Sequence, residues 1–411
     1  MEFNTSLSQL PDPSDKRIAL RVTLPAERAL KKGHPWIYDQ SITDISHAGA
    51  PGDLAVIFDE KRRFLGIGLY DPVSPIRVRI LQARQPAAIN VDWFREKLEG
   101  ASKMRAWLDG TGTTGYRLVH GENDGMPGLV LDRYANTLVL KLYSPAWIPH
   151  LKEFCAALAQ VSQAEHLILR LNRSTERQTG LLHGLSDGMV LTLQTPPNPI
   201  LFKENGLIFE ADPINGQKTG FFLDQRENRL RVQKLTKGKS VLNVFAYTGG
   251  FSVYAARGGA KEVVSVDVSQ HALEAAVRNM EHNKLTNIRH ETIAEDAFDV
   301  LARMKSQKRL FDMVIIDPPM FAQSEKQIIA ALAAYHKLTR LGLGVLKKSG
   351  TLVQASCSSR VDAETFFDSV NKTAKDMGRR LTEIERTGHP FDHPVGFNEG
   401  AYLKCLFALA S

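Results

Sequence analysis

Hydrophobic and polar residues follow three different patterns along the 411 residues of the chain. In residues 16–82, short runs alternate with a period of two, and turn residues such as Gly33-His34-Pro35 separate them. The runs are RIALRVTL, DLAVIFDE, FLGIGLY and IRVRIL. Alternation with such breaks is typical of short strands joined by tight turns. The first region therefore predicts a small all-β barrel, which we place at residues 1–82.

The second region, residues 83–195, mixes helical and strand patterns. The segment VDWFREKLEGASKMRAWL has apolar residues three and four positions apart, which predicts a helix, and WIPHLKEFCAALAQV predicts a second one. Strands are predicted at YRLVHGE, GLVLDRY, TLVLKLYS, HLILRLN and MVLTLQ. This region therefore predicts a middle α+β domain, and the segment TPPNP marks its end.

The third region, residues 196–411, opens with a strand pair in ILFKENGLIFEAD, after which strands and helices alternate. The predicted strands are SVLNVFA, EVVSVDVS, IRHETI, FDMVIID, GTLVQAS, RLTEIERT and YLKCLFAL. The helices between them include QHALEAAVRNMEHNK and EKQIIAALAAYHKLTRLGLGVL. Helices alternating with strands rich in β-branched residues predict an α/β fold, a Rossmann-like domain with a doubly wound, mostly parallel sheet.

Composition narrows the class of protein. Hydrophobic residues make up 43% and charged residues 24%, as in ordinary globular proteins. We expect a cytoplasmic protein without a membrane span, because the first residues lack a secretory signal pattern and no run approaches 18 apolar residues. Three scattered cysteines do not suit a disulfide framework or a cysteine-based zinc site. His389 and His393, without a third ligand, do not indicate a metal.

The charge distribution is compatible with a polyanionic partner. The net charge is +7, and residues 15–85 contain 12 basic and 8 acidic residues. Arg77 and Arg79 alternate on the strand IRVRIL and are predicted to face the same side. With the basic turn at Lys61, Arg62 and Arg63, they predict a surface that contacts phosphates.

A cofactor site is predicted in the third region. The strand SVLNV runs into FAYTGGFSVYAA, where Gly249 and Gly250 allow close approach of a ligand at the start of a helix. This is not G-x-G-x-x-G, so a dinucleotide site is poorly supported. Asp267 ends the next strand, where it can accept hydrogen bonds from ribose hydroxyls, and Asp296 follows the third, where it can receive an adenine amino group. This series favours S-adenosylmethionine over NAD or ATP.

Two candidate chemical groups follow the fourth and fifth strands. In FDMVIIDPPMF, Pro318 and Pro319 stiffen the strand exit and hold Asp317 at the carboxyl edge of the sheet, while Phe321 offers a stacking face for a base. In GTLVQASCSSRVD, Cys357 ends the neighbouring strand beside small serines that would leave it accessible. Since these strands are neighbours in the usual order, Asp317 and Cys357 should converge on one crevice.

A cysteine at this place indicates methylation of a pyrimidine carbon. Carbon 5 of a pyrimidine is a poor nucleophile until a thiolate adds to carbon 6, which is the logic of covalent catalysis. Methylation of an exocyclic amine would need no such thiol. Cys155 and Cys405 lie in apolar patterns and are predicted to pack in the core.

These motifs resemble a known family over nearly the whole chain. The segments HPWIYDQSI, GQKTGFFLDQRENR, NVFAYTGGFS, DPPMF, ASCSS and HPVGFNEGAYLK are similar to those of bacterial 23S rRNA 5-cytosine methyltransferases, which join an N-terminal PUA domain to a class I methyltransferase domain. The resemblance implies Cys357 as the nucleophile, S-adenosylmethionine as the cofactor, and 23S rRNA or a large-subunit assembly intermediate as the partner. The family usually reads D-P-P-K-F, and Met320 replaces that lysine here.

The resemblance also implies site residues. Phe222, Asp224 and Arg226 should lie over the methionine end of the cofactor. The cofactor pocket as a whole is predicted to comprise Phe222, Asp224, Arg226, Asn243, Phe245, Ala246, Gly249, Gly250, Asp267, Asp296 and Asp317. The substrate residues are predicted to be Pro318, Pro319, Phe321, Arg77 and Arg79. Asp317 is by its position the candidate for the catalytic base.

Three other functions are compatible with parts of the pattern. An RNA methyltransferase acting on a guanine nitrogen can share D-P-P-x-F, and a non-catalytic ribosome-assembly factor can keep a relic cofactor fold. A nicotinamide dehydrogenase is the weakest alternative, because the dinucleotide turn is missing. The sequence does not identify the nucleotide that is methylated. It does not set the oligomeric state either, and a homodimer is compatible with it.

Overall fold

The computed structural model describes residues 1–322 and 324–411, which form two compact units. Unit 1 consists of Met1–Gly206, Ala211–Leu223 and Asp392–Phe397. Unit 2 consists of Leu207–Glu210, Asp224–Phe391 and Asn398–Ser411. The predicted barrel and the predicted middle domain both lie in unit 1, and their division into separate domains remains a prediction.

The first part of unit 1 is a six-stranded sheet with strand order β2-β6-β5-β4-β1-β3. Its strands are β1 (Ile18–Val22), β2 (Trp36–Tyr38), β3 (Ile42–Ile45), β4 (Leu54–Phe58), β5 (Phe64–Tyr70) and β6 (Ile76–Ala83). The helix α2 (Leu24–Lys31) also belongs to this part, whereas α1 (Thr5–Ser8) follows Asn4, whose N–H donates to the carbonyl oxygen of Leu191. The prediction of an all-β region was wrong at α2, where Pro25 in the first turn and Lys31 in the last turn are typical helix-boundary residues.

The second part of unit 1 is a four-stranded sheet with strand order β10-β9-β8-β7. Its strands are β7 (Gly115–His120), β8 (Leu129–Tyr134), β9 (Thr137–Leu142) and β10 (His166–Leu171). The helices are α3 (Val91–Arg105), α4 (Leu151–Val161) and α5 (Arg173–Glu176). The predicted strand MVLTLQ was wrong, because this segment forms isolated bridges from Val190 to Ile168 and from Thr192 to Phe3.

Two short strands, β11 (Ile200–Glu204) and β12 (Leu207–Ala211), precede the main sheet of unit 2. The further strands are β13 (Ser240–Val244), β14 (Glu262–Asp267), β15 (Arg289–Ala294), β16 (Phe311–Ile316), β17 (Leu346–Ser356), β18 (Leu381–Thr387) and β19 (Lys404–Ala410). The helices are α6 (Arg226–Leu235), α7 (Gly250–Arg257), α8 (Gln270–His282), α9 (Ala297–Ser306), α10 (Ile328–Gly344) and α11 (Ala363–Asp376).

The main sheet has strand order β15-β14-β13-β16-β17-β19-β18, with β13 to β17 paired in parallel and β19 antiparallel to both neighbours. Every residue of β13 is buried, as expected for a parallel strand covered on both faces. This confirms the predicted doubly wound sheet. The strand order reverses between β13 and β16, and ligands of such sheets bind at the carboxyl ends of the strands at that point.

Candidate active site

The turn after β13 has a strained backbone that Asp267 stabilises. Phe245 and Tyr247 adopt left-handed conformations with φ of 61° and 47°, which cost about 1–2 kcal/mol each for residues other than glycine. The backbone N–H of Tyr247 donates to Oδ2 of Asp267 at 2.8 Å. Gly249 has φ of 74°, and a Cβ there would lie 2.6 Å from Cβ of Ala276. The turn thus keeps its shape through a carboxylate at the end of β14 and close packing on α8.

Two buried oxygens beside this turn suit a polar ligand. Nδ2 of Asn243 donates to Oγ of Ser252 at 2.9 Å. Oδ1 of Asn243 and Oγ1 of Thr248 are buried without a hydrogen-bond partner in the described part of the chain. Because unpaired buried polar atoms are uncommon, these two atoms fit the predicted cofactor site.

Asp296 has a structural role of its own. It is the exposed N-cap of α9, and its Oδ1 accepts hydrogen bonds from the N–H groups of Phe298 and Asp299 at 2.8 and 3.3 Å. Capping of this kind stabilises a helix start. A contact of Asp296 with adenine remains a prediction.

The structure brings Cys357 to the D-P-P turn. The parallel pair β16/β17 aligns Ile316 with Gln354, so both chains leave the sheet at the same edge. Sγ of Cys357 lies 3.7 Å from the carbonyl oxygen of Pro318. The D-P-P turn and Cys357 therefore meet at this edge, where Cys357 is half-buried, and a shared crevice of Asp317 and Cys357 remains a prediction.

A chain of side-chain hydrogen bonds orients Asp317. Nε2 of Gln225 donates to Oδ1 of Asp317 at 2.9 Å. Nδ2 of Asn228 donates to Oε1 of Gln225 at 2.6 Å, and Oγ1 of Thr387 donates to Oδ1 of Asn228 at 2.6 Å. Sequence reasoning missed these three residues, although the spacing of Gln225 and Asn228 by three positions is a signal that both side chains share one face.

Gln225 and Asn228 lie in the segment GQKTGFFLDQRENR, residues 216–229, and the other predicted site residues of this segment belong to both units. In unit 2, Asp224 and Arg226 are buried, and Tyr402 donates from its hydroxyl to Oδ2 of Asp224 at 3.0 Å. Phe222 belongs to unit 1, where Nζ of Lys218 lies 4.3 Å from the centre of its ring. Contacts of these residues with the cofactor remain predictions.

Lys404 is a buried cation beside Cys357 that sequence reasoning did not identify. It is 3% exposed, pairs with Ser356 across β17 and β19, and donates to the carbonyl oxygens of Ser358 and Val361. Burial lowers the pKa of Lys404 to about 8, and negative charge on Cys357 acts in the opposite direction. Its ammonium group therefore lies within electrostatic range of the thiol.

Ser356 and Ser358, on either side of Cys357, are buried and hydrogen-bonded within the protein. Tyr335 and Ser356 share a hydrogen bond of 2.8 Å, and the Ser358 hydroxyl donates to the carbonyl oxygen of Ala322 at 3.0 Å. Burial raises the pKa of Tyr335 to about 12, so its hydroxyl stays protonated at neutral pH. The Phe321 ring packs edge-on against Tyr335 with the centroids 5.2 Å apart, and its contact with a base remains a prediction.

Of the three cysteines, all of which the structure describes, Cys357 is the one that is not fully buried. Cys155 and Cys405 are buried, as predicted for core residues. Burial raises the pKa of the Cys155 thiol to about 12 and holds the pKa of Cys405 well above its ordinary value. Cys357 therefore has the accessibility that a nucleophile needs.

The predicted phosphate surface on β6 was wrong at Arg79. Arg79 is 6% exposed and forms an ion pair of 3.5 Å with Asp71, which also accepts from the Ser144 hydroxyl at 2.6 Å. Burial lowers the pKa of Arg79. Arg77 is mostly buried as well and donates to the carbonyl oxygen of Pro72. Both guanidinium groups are occupied within unit 1 because neighbouring segments cover this strand.

Comparison with known proteins identifies the family. The S-adenosylmethionine-dependent methyltransferase family matches residues 150–408, and a PUA-like domain family matches residues 20–83. A ribosomal RNA large subunit methyltransferase of Deinococcus radiodurans is 44% identical over 402 residues, covering 97% of this chain and 98% of the relative. A ribosomal RNA large subunit methyltransferase I of Photobacterium profundum is 37% identical over 92% of this chain and 96% of its own.

A solved structure agrees with the fold. The coordinates of a protein described as a SAM-dependent methyltransferase from Streptococcus mutans superpose with a TM-score of 0.82 at 24% identity, covering 95% of this chain and 99% of that chain. Another structure with the same TM-score and identity is that of a methyltransferase in complex with SAH. The chain thus belongs to the S-adenosylmethionine-dependent methyltransferase family, in the group of these large-subunit ribosomal RNA methyltransferases. The predicted architecture, a PUA-like domain followed by a Rossmann-like domain, is confirmed.

Within residues 1–322 and 324–411, no helix combines the length and the apolar character that crossing a bilayer requires. The same residues contain no group of three or more His, Cys, Asp or Glu side chains that could hold a metal ion.

Proposed function

We propose that this protein methylates carbon 5 of a cytosine in 23S rRNA, with Cys357 as the nucleophile. The observation that carries the proposal is the meeting of an accessible thiol, the D-P-P turn and a buried lysine at one edge of the sheet. The names of the relatives support ribosomal RNA of the large subunit as the substrate. A methyltransferase acting on an exocyclic amine would have no use for this thiol.

The residues around the β13 turn would hold the cofactor. Each oxygen of Asp267 accepts one backbone N–H, from Tyr247 at 2.8 Å and from Ser269 at 3.0 Å, and keeps capacity to accept a ribose hydroxyl. Oδ1 of Asn243 and Oγ1 of Thr248, which are unpaired in the described chain, would accept hydrogen bonds from polar groups of the cofactor at the same turn. When bound, S-adenosylmethionine supplies an electrophilic methyl group on a sulfonium.

The protein's own residues carry the remaining chemistry. The Cys357 thiolate forms a bond to carbon 6, and the electron pair of the 5,6 double bond moves to carbon 5. Carbon 5 then takes the methyl group, and the pair of the broken carbon–sulfur bond stays on the cofactor sulfur. A base removes the proton from carbon 5, the double bond re-forms, and the carbon 6–sulfur bond breaks to return the thiolate.

Lys404 and Asp317 have different roles in this sequence of steps. The Lys404 ammonium favours the thiolate form of Cys357, because a nearby opposite charge stabilises an ionised group. Asp317, oriented by Gln225, is the candidate base for the carbon 5 proton. Pro318 and Phe321 would flank the target base.

RNA that contains 5-fluorocytosine tests the proposal. Fluorine cannot leave carbon 5 as a proton does, so the enzyme should stall after methyl transfer as a covalent protein–RNA adduct that survives a denaturing gel. The Cys357→Ala variant should form no adduct, whereas the Cys155→Ala control should form it. An adduct that persists in Cys357→Ala would refute the nucleophile. Methylation by the wild type without any adduct would indicate transfer to a nitrogen instead.

A further inference from the structure

One face of the four-stranded sheet in unit 1 carries charged residues at consecutive strands. Leu138, Leu140 and Leu142 of β9 belong to the hydrophobic core with α3 and α4. Since side chains alternate along a strand, Lys141 faces the opposite side. Lys141 is in register with Arg170 of β10, so two cations lie side by side on that face.

The arginines of this face already have acceptors within unit 1. Arg117 forms a bidentate pair with Asp132 at 2.8 and 3.0 Å. Arg170 donates to Asp187 at 2.9 Å and to the carbonyl oxygen of Pro213 at 2.5 Å. Their charges are therefore largely balanced by the protein itself.

Lys141 differs from these arginines. It is half-buried, and it has no hydrogen-bond acceptor in residues 1–322 and 324–411. Its Nζ lies 5.7 Å from the centre of the Tyr143 ring. Burial lowers the pKa of Lys141 to about 8, and the charge of Arg170 acts in the same direction. A partly desolvated cation without an acceptor is unfavourable in the chain alone, and an anion would relieve it.

The ring of Tyr143 lies next to the ammonium group of Lys141. Tyr143 is 44% exposed although it directly follows the buried end of β9. Burial raises the pKa of the Tyr143 hydroxyl, and the nearby charges of Arg117 and Lys218 act in the opposite direction, so the ring is partly exposed while its hydroxyl end lies among these cations. Cations that alternate with exposed aromatic rings are the usual surface for single-stranded nucleic acid, where the cations contact phosphates and the rings stack on bases.

We propose that Lys141 and Tyr143 form a subsite for the RNA substrate, in which Lys141 binds a backbone phosphate and Tyr143 stacks on an adjoining base. The proposal rests on the proposed function for the identity of the ligand as RNA. It places the RNA contact on the middle sheet of unit 1, whereas the predicted surface on β6 is occupied by internal contacts of Arg77 and Arg79.

Direct RNA binding tests this subsite. Fluorescence anisotropy with an unmodified transcript of 23S rRNA should be measured at several salt concentrations, using Lys141→Gln, Lys141→Arg and the control Lys152→Gln. Lys152 is a half-buried lysine of the same unit whose charge is paired with Asp12 at 2.8 Å. Lys141→Gln should weaken binding on the order of tenfold and reduce the slope of log K against log salt by about 0.7–0.9, the value for one phosphate contact. Lys152→Gln should change neither.

The pH dependence of RNA affinity shows whether the charge of Lys141, rather than the shape of its side chain, is responsible for binding. The charged groups facing Lys141 are Arg170, Asp132, Asp187 and Arg117. Wild-type affinity should therefore fall above pH 8 as Lys141 loses its proton, while Lys141→Arg should bind RNA without this part of the fall. Tyr143→Ala should weaken binding on the order of tenfold with the salt slope unchanged.

The proposed subsite and the proposed function can be refuted independently of each other. Lys141→Gln with wild-type RNA affinity and salt slope would overturn the subsite, whatever the outcome of the 5-fluorocytosine test. Loss of the salt slope together with a failed 5-fluorocytosine test would support the subsite and refute only the carbon 5 chemistry. Cofactor binding measured by calorimetry should be equal in all these variants, and a loss there would mean that the substitution disturbs the fold rather than the RNA contact.

Discussion

Replacing Lys404 by methionine should make Cys357 much less reactive at neutral pH and nearly unchanged at high pH. Methionine keeps a long flexible side chain for the buried position and removes the ammonium charge. The lysine donates to the carbonyl oxygens of Ser358 and Val361, which flank the turn after Cys357. The substitution therefore removes both the charge next to the thiol and these two hydrogen bonds, and only the loss of the charge should give an effect that disappears at high pH.

The magnitude follows from the charge and its titration. An opposite charge within about 4–6 Å changes the balance between the ionised and neutral forms by one to three powers of ten. Because the pKa of Lys404 is about 8, roughly 90% of the molecules carry its charge at pH 7 and roughly 10% at pH 9. The wild type should thus react about 10-fold or more faster than the variant at pH 7, and the two rates should converge by about pH 9.5.

Alkylation of the native protein by iodoacetamide measures this reactivity without RNA. Mass spectrometry of the peptides reports the rate at Cys357, while the buried Cys155 and Cys405 serve as internal controls for unfolding. The control variant is Lys347→Met, because Lys347 lies on β17, the strand next to that of Lys404, and pairs with Asp312 at 2.9 Å. A rate ratio between wild type and Lys404→Met that stays constant from pH 7 to 9.5 would refute the charge argument and leave Lys404 a purely structural residue.

Two further substitutions test the cofactor pocket and the stability of unit 1. Asp267→Ala should weaken S-adenosylmethionine binding by about 1–3 kcal/mol, because ribose hydroxyls and the Tyr247 N–H lose their acceptor; unchanged affinity by calorimetry would remove Asp267 from the pocket. Arg105→Met should destabilise the protein by about 3–5 kcal/mol in urea unfolding, because it leaves the carboxylate of Asp124 buried without its bidentate partner. The exposed pair of Arg95 should cost at most about 1 kcal/mol in Arg95→Met, and equal losses in the two variants would contradict the burial argument.

The sheet of unit 2 and the meeting of its motifs could be predicted from the sequence. Buried β-branched runs separated by helical patterns have few other arrangements, and parallel strands bring their carboxyl ends to one edge. The proximity of Cys357 to Pro318 follows from that strand order alone. The position of these two motifs at one edge was therefore accessible to sequence reasoning.

The residues that were missed depend on packing that pattern reasoning does not represent. Lys404 begins an otherwise apolar strand, and a lysine at a strand end is usually a surface residue. Arg79 has the alternation of an exposed residue, but a distant segment covers it. Gln225 and Asn228 could not be assigned a role because their partners, Asp317 and Thr387, are remote in sequence.

The hydrogen-bond chain to Asp317 fixes the orientation of its carboxylate. If the amide of Asn228 flipped, its NH₂ group would no longer donate to Gln225 and its oxygen would no longer accept from Thr387. The amide of Gln225 is held in the same way between Asn228 and Asp317. Oδ1 of Asp317 therefore always meets an N–H donor. If Asp317 is the base proposed above, the angle at which its carboxylate meets the substrate is set by Gln225, Asn228 and Thr387, and a substitution at Thr387 would change that angle from two residues away.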